Sequence, residues 1–162
     1  MFKIEKATTE DIPLIRRLTF AVWPKTYSRI LSVGQIDYML EMMYSVSSLR
    51  KQMEDKCQFI IIYSGGEPVG FASYQELKPG AWKLHKLYVL VSEQGKGTGK
   101  FMMDYIMGEI KKQGAESLEL QVNRRNLAKN FYEKLGFAQR EMIKLDIGNG
   151  YFMDDYVMEK QL

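Results

Sequence analysis

Only one cysteine occurs among the 162 residues, Cys57, so no internal disulfide can form and a reducing compartment is expected. No apolar run approaches the roughly 18 residues a membrane-spanning helix needs. The opening residues, Met1-Phe2-Lys3-Ile4-Glu5-Lys6, lack the apolar core of a signal peptide. A cytoplasmic location without membrane association is the expectation. No internal repeat, low-complexity tract or Pro/Gly/Ser-rich linker marks a boundary, so residues 1–162 read as one domain large enough to bury its own core. A net charge of +3 is small and spread along the chain, which argues against nucleic acid and suits a phosphate-bearing ligand. There is a single histidine, His85, and no cluster with metal-ligand spacing, so no metal is expected.

What is present centres on Trp82 to Phe101. An apolar run (Leu84, Leu87, Tyr88, Val89, Leu90, Val91) reads as a buried strand. It stops at Ser92-Glu93, meets three glycines in five residues (Gly95, Gly97, Gly99) and enters a helical pattern at Phe101. Such a strand, turn and helix can hold a phosphate on inward-turned amides at a helix N-terminus, with Lys96 and Lys100 adding charge. A dinucleotide fingerprint fails because Lys100 or Met102 stands where the last glycine must be. A nucleotide-triphosphate loop fails at Gln94 and Phe101. The pattern Gln94-x-x-Gly97-x-Gly99 remains.

Along the rest of the chain, Phe2 to Ala7 alternates as a strand, and Thr8-Thr9-Glu10-Asp11 opens a helix that Pro24 should end. Helices follow at Gln35 to Met43 and Ser48 to Asp55. Gln58 to Tyr63 and Pro68 to Gln75 form a hairpin about Ser64-Gly65-Gly66-Glu67. Ser117 to Val122 is a fifth strand, Leu127 to Lys134 a helix, and Phe137 to Ile147 with Tyr151 to Met158 a last hairpin. Leu127, Phe131 and Leu135 are expected in the core, and Cys57 as a buried thiol rather than a nucleophile. The order β-α-α-α-β-β-β-α-β-α-β-β is a mixed α/β fold, a sheet of about seven strands with helices on both faces.

A second motif, N-x-x-A-x-x-F-Y-E-K-L-G-F from Asn126 to Phe137, follows the glycine loop by about thirty residues. Together the two resemble the GNAT superfamily of acyl-CoA-dependent N-acyltransferases, firmly from about Phe59 to Phe137. The resemblance implies an acetyl-CoA-dependent N-acetyltransferase acting by direct attack in a ternary complex. It implies a sheet that is mixed and mostly antiparallel. Gln94, Gly95, Lys96, Gly97, Thr98, Gly99 and Lys100 would hold the coenzyme A pyrophosphate. Asn126 would bond the pantetheine arm, and Tyr132 would protonate the departing thiolate. Backbone N–H groups of Leu87, Tyr88 and Val89, on a strand that bulges and splays from the fifth, would meet pantetheine and the acyl oxygen. Lys129 and Lys134, with Arg124 and Arg125, are placed for the nucleotide end, and each is equally readable as a solvated charge.

The acceptor that the resemblance implies is a primary amine, which must be neutral to attack, so a base is useful. His85, Glu119 and the Asp154-Asp155 pair are all candidates, and the sequence does not choose between them. Thr26 to Ser45 has a weaker resemblance to the acceptor segment of bacterial spermidine/spermine acetyltransferases. On that reading Tyr27, Asp37, Tyr38, Glu41 and Asp154 contact a polyamine. A protein N-terminus, a lysine, another small amine, or a non-catalytic acyl-CoA sensor are the alternatives. Pairing of two copies through sheet edges or the last hairpin is left open.

Overall fold

The computed structural model describes residues 1–162. Seven strands form one sheet in the order β1-β2-β3-β4-β5-β7-β6. They are β1 (Phe2–Lys6), β2 (Gln58–Ser64), β3 (Glu67–Lys78), β4 (Ala81–Val89), β5 (Ser117–Asn123), β6 (Ala138–Gly148) and β7 (Tyr151–Gln161). Every neighbouring pair is antiparallel except β4 with β5. The mixed, mostly antiparallel sheet and the element order are those the sequence implies.

Helices α1 (Ile12–Tyr27), α2 (Val33–Tyr44) and α3 (Val46–Glu54) cover one face. Their apolar stripes, including Ile15, Trp23, Met39, Tyr44 and Leu49, bury against Phe59, Ile61 and Phe71. Helices α4 (Thr98–Lys112) and α5 (Ala128–Lys134) cover the other, with Met102, Ile106, Ile110 and Tyr132 against Ile60, Ile62, Leu118 and Leu120. Neighbouring positions in β2 thus serve opposite cores, as the two-residue side-chain period requires. Each fully buried aliphatic or Phe side chain contributes roughly 1.5–3 kcal/mol. No helix is long and apolar enough to cross a membrane.

Three local expectations are corrected. Pro24 lies inside α1, which runs on to Tyr27. An interior proline costs about 3 kcal/mol, mainly through its missing N–H. Here Trp23 and Tyr27, one turn apart and both buried, hold the last turn against the core. Helix α4 begins at Thr98 rather than Phe101, because Gly97 takes the left-handed conformation (φ 81°) and starts the helix inside the glycine loop. Leu127 is 81% exposed, not core, since it precedes the first turn of α5 and no element packs over it.

The parity of β4 reverses at His85. Trp82 and Leu84 belong to the α4 side, whereas beyond the register shift Leu87 and Val89 pack there and Tyr88 packs on the α1 side. Ser73 pairs with Lys86 and Tyr74 with Leu84, so His85 is the extra residue of a β-bulge. The bulge turns Lys86 and Tyr88 toward α1–α3.

Candidate active site

Strands β4 and β5 pair only from Ala81–Ser117 to Leu84–Leu120. Beyond that β5 stays with β7 as far as Asn123–Asp155, while β4 stays with β3. The sheet therefore opens into a V, and the β5-facing edge of β4 from His85 to Val89 has no ladder partner. Alternate amides of that edge, in the stretch holding Leu87, Tyr88 and Val89, are free to donate elsewhere.

At the mouth of the V stands the glycine loop. Gly95 and Gly97 both have φ of 81°, and a side chain at either would project into open space rather than into protein. That cradle follows the end of β4 and precedes α4, whose first hydrogen bond of this type is Phe101 N–H to the Gly97 carbonyl at 2.9 Å. The amides of Thr98, Gly99 and Lys100 precede it and point out of the helix end, a fit for an anionic, phosphate-like group. The loop is braced from within. Buried Thr98 donates its hydroxyl to the Glu93 carbonyl at 3.3 Å, and the Gln94 amide reaches the Val89 carbonyl at 3.5 Å. Gly99 is needed for another reason, since a Cβ there would lie 3.2 Å from the Phe131 ring. That contact seats the loop against α5. Lys96 and Lys100 are exposed and pair with Glu93 (3.6 Å) and Asp104 (2.7 Å).

Helix α5 carries Tyr132 into the core beside the Phe131 and Phe137 rings. Burial, and secondarily the neighbouring Tyr27, push its hydroxyl pKa well above the usual tyrosine value, so it keeps its proton at any working pH. Asn126 accepts from the Ala128 N–H at 2.9 Å through Oδ1, which leaves its amide N–H₂ to face the Tyr27 hydroxyl. Lys129 lies over the Tyr156 ring at 4.2 Å and bonds Gln139, and Lys134 is exposed on the outer face of α5.

On the α1–α3 side the V deepens into a cavity of about 180 Å³. Trp23 and Tyr27 of α1, Gln35, Met39 and Met43 of α2, and Lys83, His85, Lys86 and Tyr88 of β4 line it. Asn123 and Asp155 line it from β5 and β7. Tyr27 and Tyr88 share a hydroxyl hydrogen bond of 2.9 Å, and burial raises the pKa of both. The cavity is roofed by the β6–β7 hairpin, with Gln35 donating to the Phe152 carbonyl and Tyr38 to the Ile147 carbonyl, both at 2.6 Å.

Asp155 is the one carboxylate in the lining and only 3% exposed. Burial and then the Asp154 charge raise its pKa to about 6, against a smaller lowering by Lys83. His85 sits at the rim, its Nε2 2.9 Å from Gln75 Oε1. Loss of solvation, then Lys83 and Lys86, lower its pKa to about 4, so it is a neutral and weak base at pH 7.

Of the residues expected to contact the acceptor, Tyr27 faces the cavity and the others do not. Asp37 and Glu41 are solvent-exposed, because Gln35, Met39 and Met43 occupy the inner face of α2 and positions two residues off point away. Tyr38 is spent on the hairpin. Asp154 alternates to the opposite side of β7 from Asp155 and pairs with Arg124 at 3.2 Å. Glu119 lies outside the cavity beside Arg140 at 3.6 Å, and Arg125 holds the turn after α1 by donating to the Arg29 and Ile30 carbonyls. The polyamine contacts suggested by Thr26 to Ser45 are therefore not assembled. Lys83 and Lys86 were not among the expected site residues; the parity break between Leu84 and Leu87 is the sequence signal that could have found Lys86.

Comparison with known proteins bears on the family and the fold. The profile of the acetyltransferase (GNAT) domain family matches residues 31–148. The [ribosomal protein bS18]-alanine N-acetyltransferase of Haemophilus influenzae is 25% identical over 126 residues, 78% of this chain and 81% of that one. A crystal structure of PaiA N-acetyltransferase from Thermoplasma acidophilum in complex with coenzyme A has the same fold, with a TM-score of 0.85 at 23% identity over 100% of this chain and 99% of that one. The ribosomal-protein-S18-alanine N-acetyltransferase of Escherichia coli superimposes with a TM-score of 0.75 at 18% identity, covering 99% and 94%. None of these names a polyamine, and the weaker resemblance to spermidine/spermine acetyltransferases is not supported. With its family profile matched over most of its length, the chain belongs to the GNAT family of N-acetyltransferases.

Proposed function

We propose that this chain acetylates the α-amine of a peptide or protein N-terminus, with acetyl-CoA as donor. The observation that carries the reading is the charge of the cavity, a single buried carboxylate, Asp155, set against Lys83 and Lys86. Such a lining receives one amine and repels a polycation. An α-amine has a pKa near 7.7–8.0, so about a tenth is neutral at pH 7, against well under 0.1% of a lysine-type amine. A weak base then suffices. The relative from Haemophilus influenzae, whose name gives an alanine as its acceptor, supports the same choice.

The Gly95–Lys100 loop and the α4 N-terminus would hold the pyrophosphate of acetyl-CoA, and Asn126 its pantetheine arm. Acetyl-CoA supplies a thioester whose carbonyl carbon is open to the amine and whose sulfur can leave. Asp155, ionised above its pKa of about 6, takes the amine proton directly or through one water. Amides on the unpaired β4 edge donate to the oxygen on which charge develops, each worth about 2.7–4 kcal/mol. Tyr132 keeps its proton at Oη until the sulfur needs it. Tyr27 and Tyr88, hydrogen-bonded to each other, orient the amine between the two halves.

The test is release of free coenzyme A, followed by thiol detection, with three acceptors: a peptide with free N-terminal alanine, an N-blocked peptide with one lysine, and spermidine. The alanine peptide should exceed the other two in kcat/KM by more than about tenfold, with mass spectrometry placing the acetyl on the α-nitrogen. Faster turnover of spermidine or of the blocked peptide overturns the reading.

A further inference from the structure

Lys86 is 8% exposed, lines the acceptor cavity, and has no carboxylate within ion-pair distance. Its ammonium bonds Gln52 Oε1 at 2.7 Å and lies 5.1 Å from the Tyr44 and 5.9 Å from the Phe59 ring centroids. A buried cation held by one neutral hydrogen bond and two ring faces is costly unless something anionic visits it. Lys83, on the same wall, also pairs with no acid. Trp23, 2% exposed and lining the same cavity, has an Nε1–H with no acceptor. All three donors line the cavity, and neither lysine has a carboxylate within ion-pair distance.

Asp155 lies on the other wall. Strand β5 stands between β4 and β7, and β4 has parted from β5 at this level, so the lysine and aspartate backbones face each other across the open V, farther apart than two paired strand spacings of roughly 10 Å. An acceptor whose amine meets Asp155 therefore extends its next few atoms toward Lys86. The bulge at His85 is what brings Lys86 to this side at all.

We propose that the cavity selects acceptors carrying a carboxylate a few bonds from the reacting amine, with Lys86, Lys83 and Trp23 Nε1–H as the carboxylate subsite. The inference rests on the N-terminal reading and narrows it. The carboxylate belongs either to an acidic side chain at the first or second residue of a peptide or to the α-carboxylate of a free amino acid. Both present the same oxygens, and turnover tells them apart.

The experiment compares kcat/KM for peptides identical except at the second residue (Ala-Glu, Ala-Gln, Ala-Lys), together with free alanine and free glutamate. Wild-type protein should prefer Ala-Glu to Ala-Gln by about 10- to 100-fold and turn over Ala-Lys most slowly, as loss of a charge-assisted contact predicts. Preference for the free amino acids over every peptide assigns the subsite to an α-carboxylate, which supports the carboxylate subsite and overturns the peptide N-terminus as acceptor. In Lys86→Met, whose side chain fits the same buried volume, the Ala-Glu to Ala-Gln ratio should fall to about one. Circular dichroism checks that the variant is folded, and the wild-type series stands whether or not it is. Equal kcat/KM for Ala-Glu and Ala-Gln overturns the inference and leaves N-terminal acetylation intact, as does a preference that survives in folded Lys86→Met. No turnover of any peptide or amino acid overturns both.

Discussion

The proposed donor half of the site is built mainly on backbone: two left-handed glycines, three amides at the start of α4 and the unpaired edge of β4. The acceptor half is made of side chains, which α1, α2, β4 and β7 each supply by pointing one way rather than the other. Backbone geometry is written as a short motif, because only glycine takes these φ values without strain. A side-chain cavity is written as phase, and phase depends on bulges and hairpin register many residues away. The difference predicts that the donor half breaks by adding atoms to the chain and the acceptor half by changing charges.

The largest effect is expected at Gly97. Aspartate there would strain a φ of 81° and push a carboxylate into the open space proposed for the pyrophosphate. Gly97→Asp should weaken acetyl-CoA binding about 1,000-fold by calorimetry while the cavity is untouched. Undiminished affinity would detach the loop from the donor. Next comes Tyr132→Phe, which keeps the buried ring and removes the proton proposed for the leaving sulfur. Turnover should fall several hundredfold with donor affinity changed by less than about twofold. An unchanged kcat removes the tyrosine from the chemistry.

Asp155→Asn should lower kcat/KM about 100-fold. The pH profile sharpens this. If Asp155 is the base, kcat/KM rises with pH through about 6, the limb disappears in the variant, and no limb near 4 limits the wild type. Retention of the limb near 6 in Asp155→Asn would assign it to another group. Stability should move the other way. The folded pKa of about 6 lies above the ordinary 3.8, so the protonated form is favoured in the fold and the ionised form costs stability as pH rises between them. Removing that charge should leave the melting temperature at pH 7 unchanged or higher, and a large fall would mean Asp155 is structural.

Much of this was legible before the structure. Gln94, Gly97, Gly99, Asn126 and Tyr132 stand in motifs whose spacing survives any change of register, and the order of helices and strands along the chain followed from periodicity. Asp154 and Asp155 were not separable, because adjacent residues on a strand face opposite sides and only pairing with Lys144 and Ile143 sets which is which. Lys86 was hidden by the bulge at His85, although the break from Trp82 and Leu84 to Leu87 and Val89 recorded it. The outward face of α2 is readable from Ile36, Met39, Leu40 and Met43, whose spacing puts Asp37 and Glu41 on the solvent side whatever the aromatic content of the segment.

The smallest effect is therefore expected where the sequence first placed the acceptor. Asp37 and Glu41 are one turn apart on the exposed face of α2, outside the cavity. Neutralising both as Asp37→Asn with Glu41→Gln removes two exposed charges, whose influence through solvent is small at physiological salt. Kcat/KM for an N-terminal peptide should change by less than about twofold, and the melting temperature by a degree or two. The control that gives this null value is spermidine. If the double variant loses spermidine turnover while keeping peptide turnover, α2 carries a second acceptor surface outside the cavity. Loss of peptide turnover would instead mean that the peptide runs out along α2 beyond its first residue, and the comparison between a backbone-built donor half and a cavity-bound acceptor half would have to be redrawn.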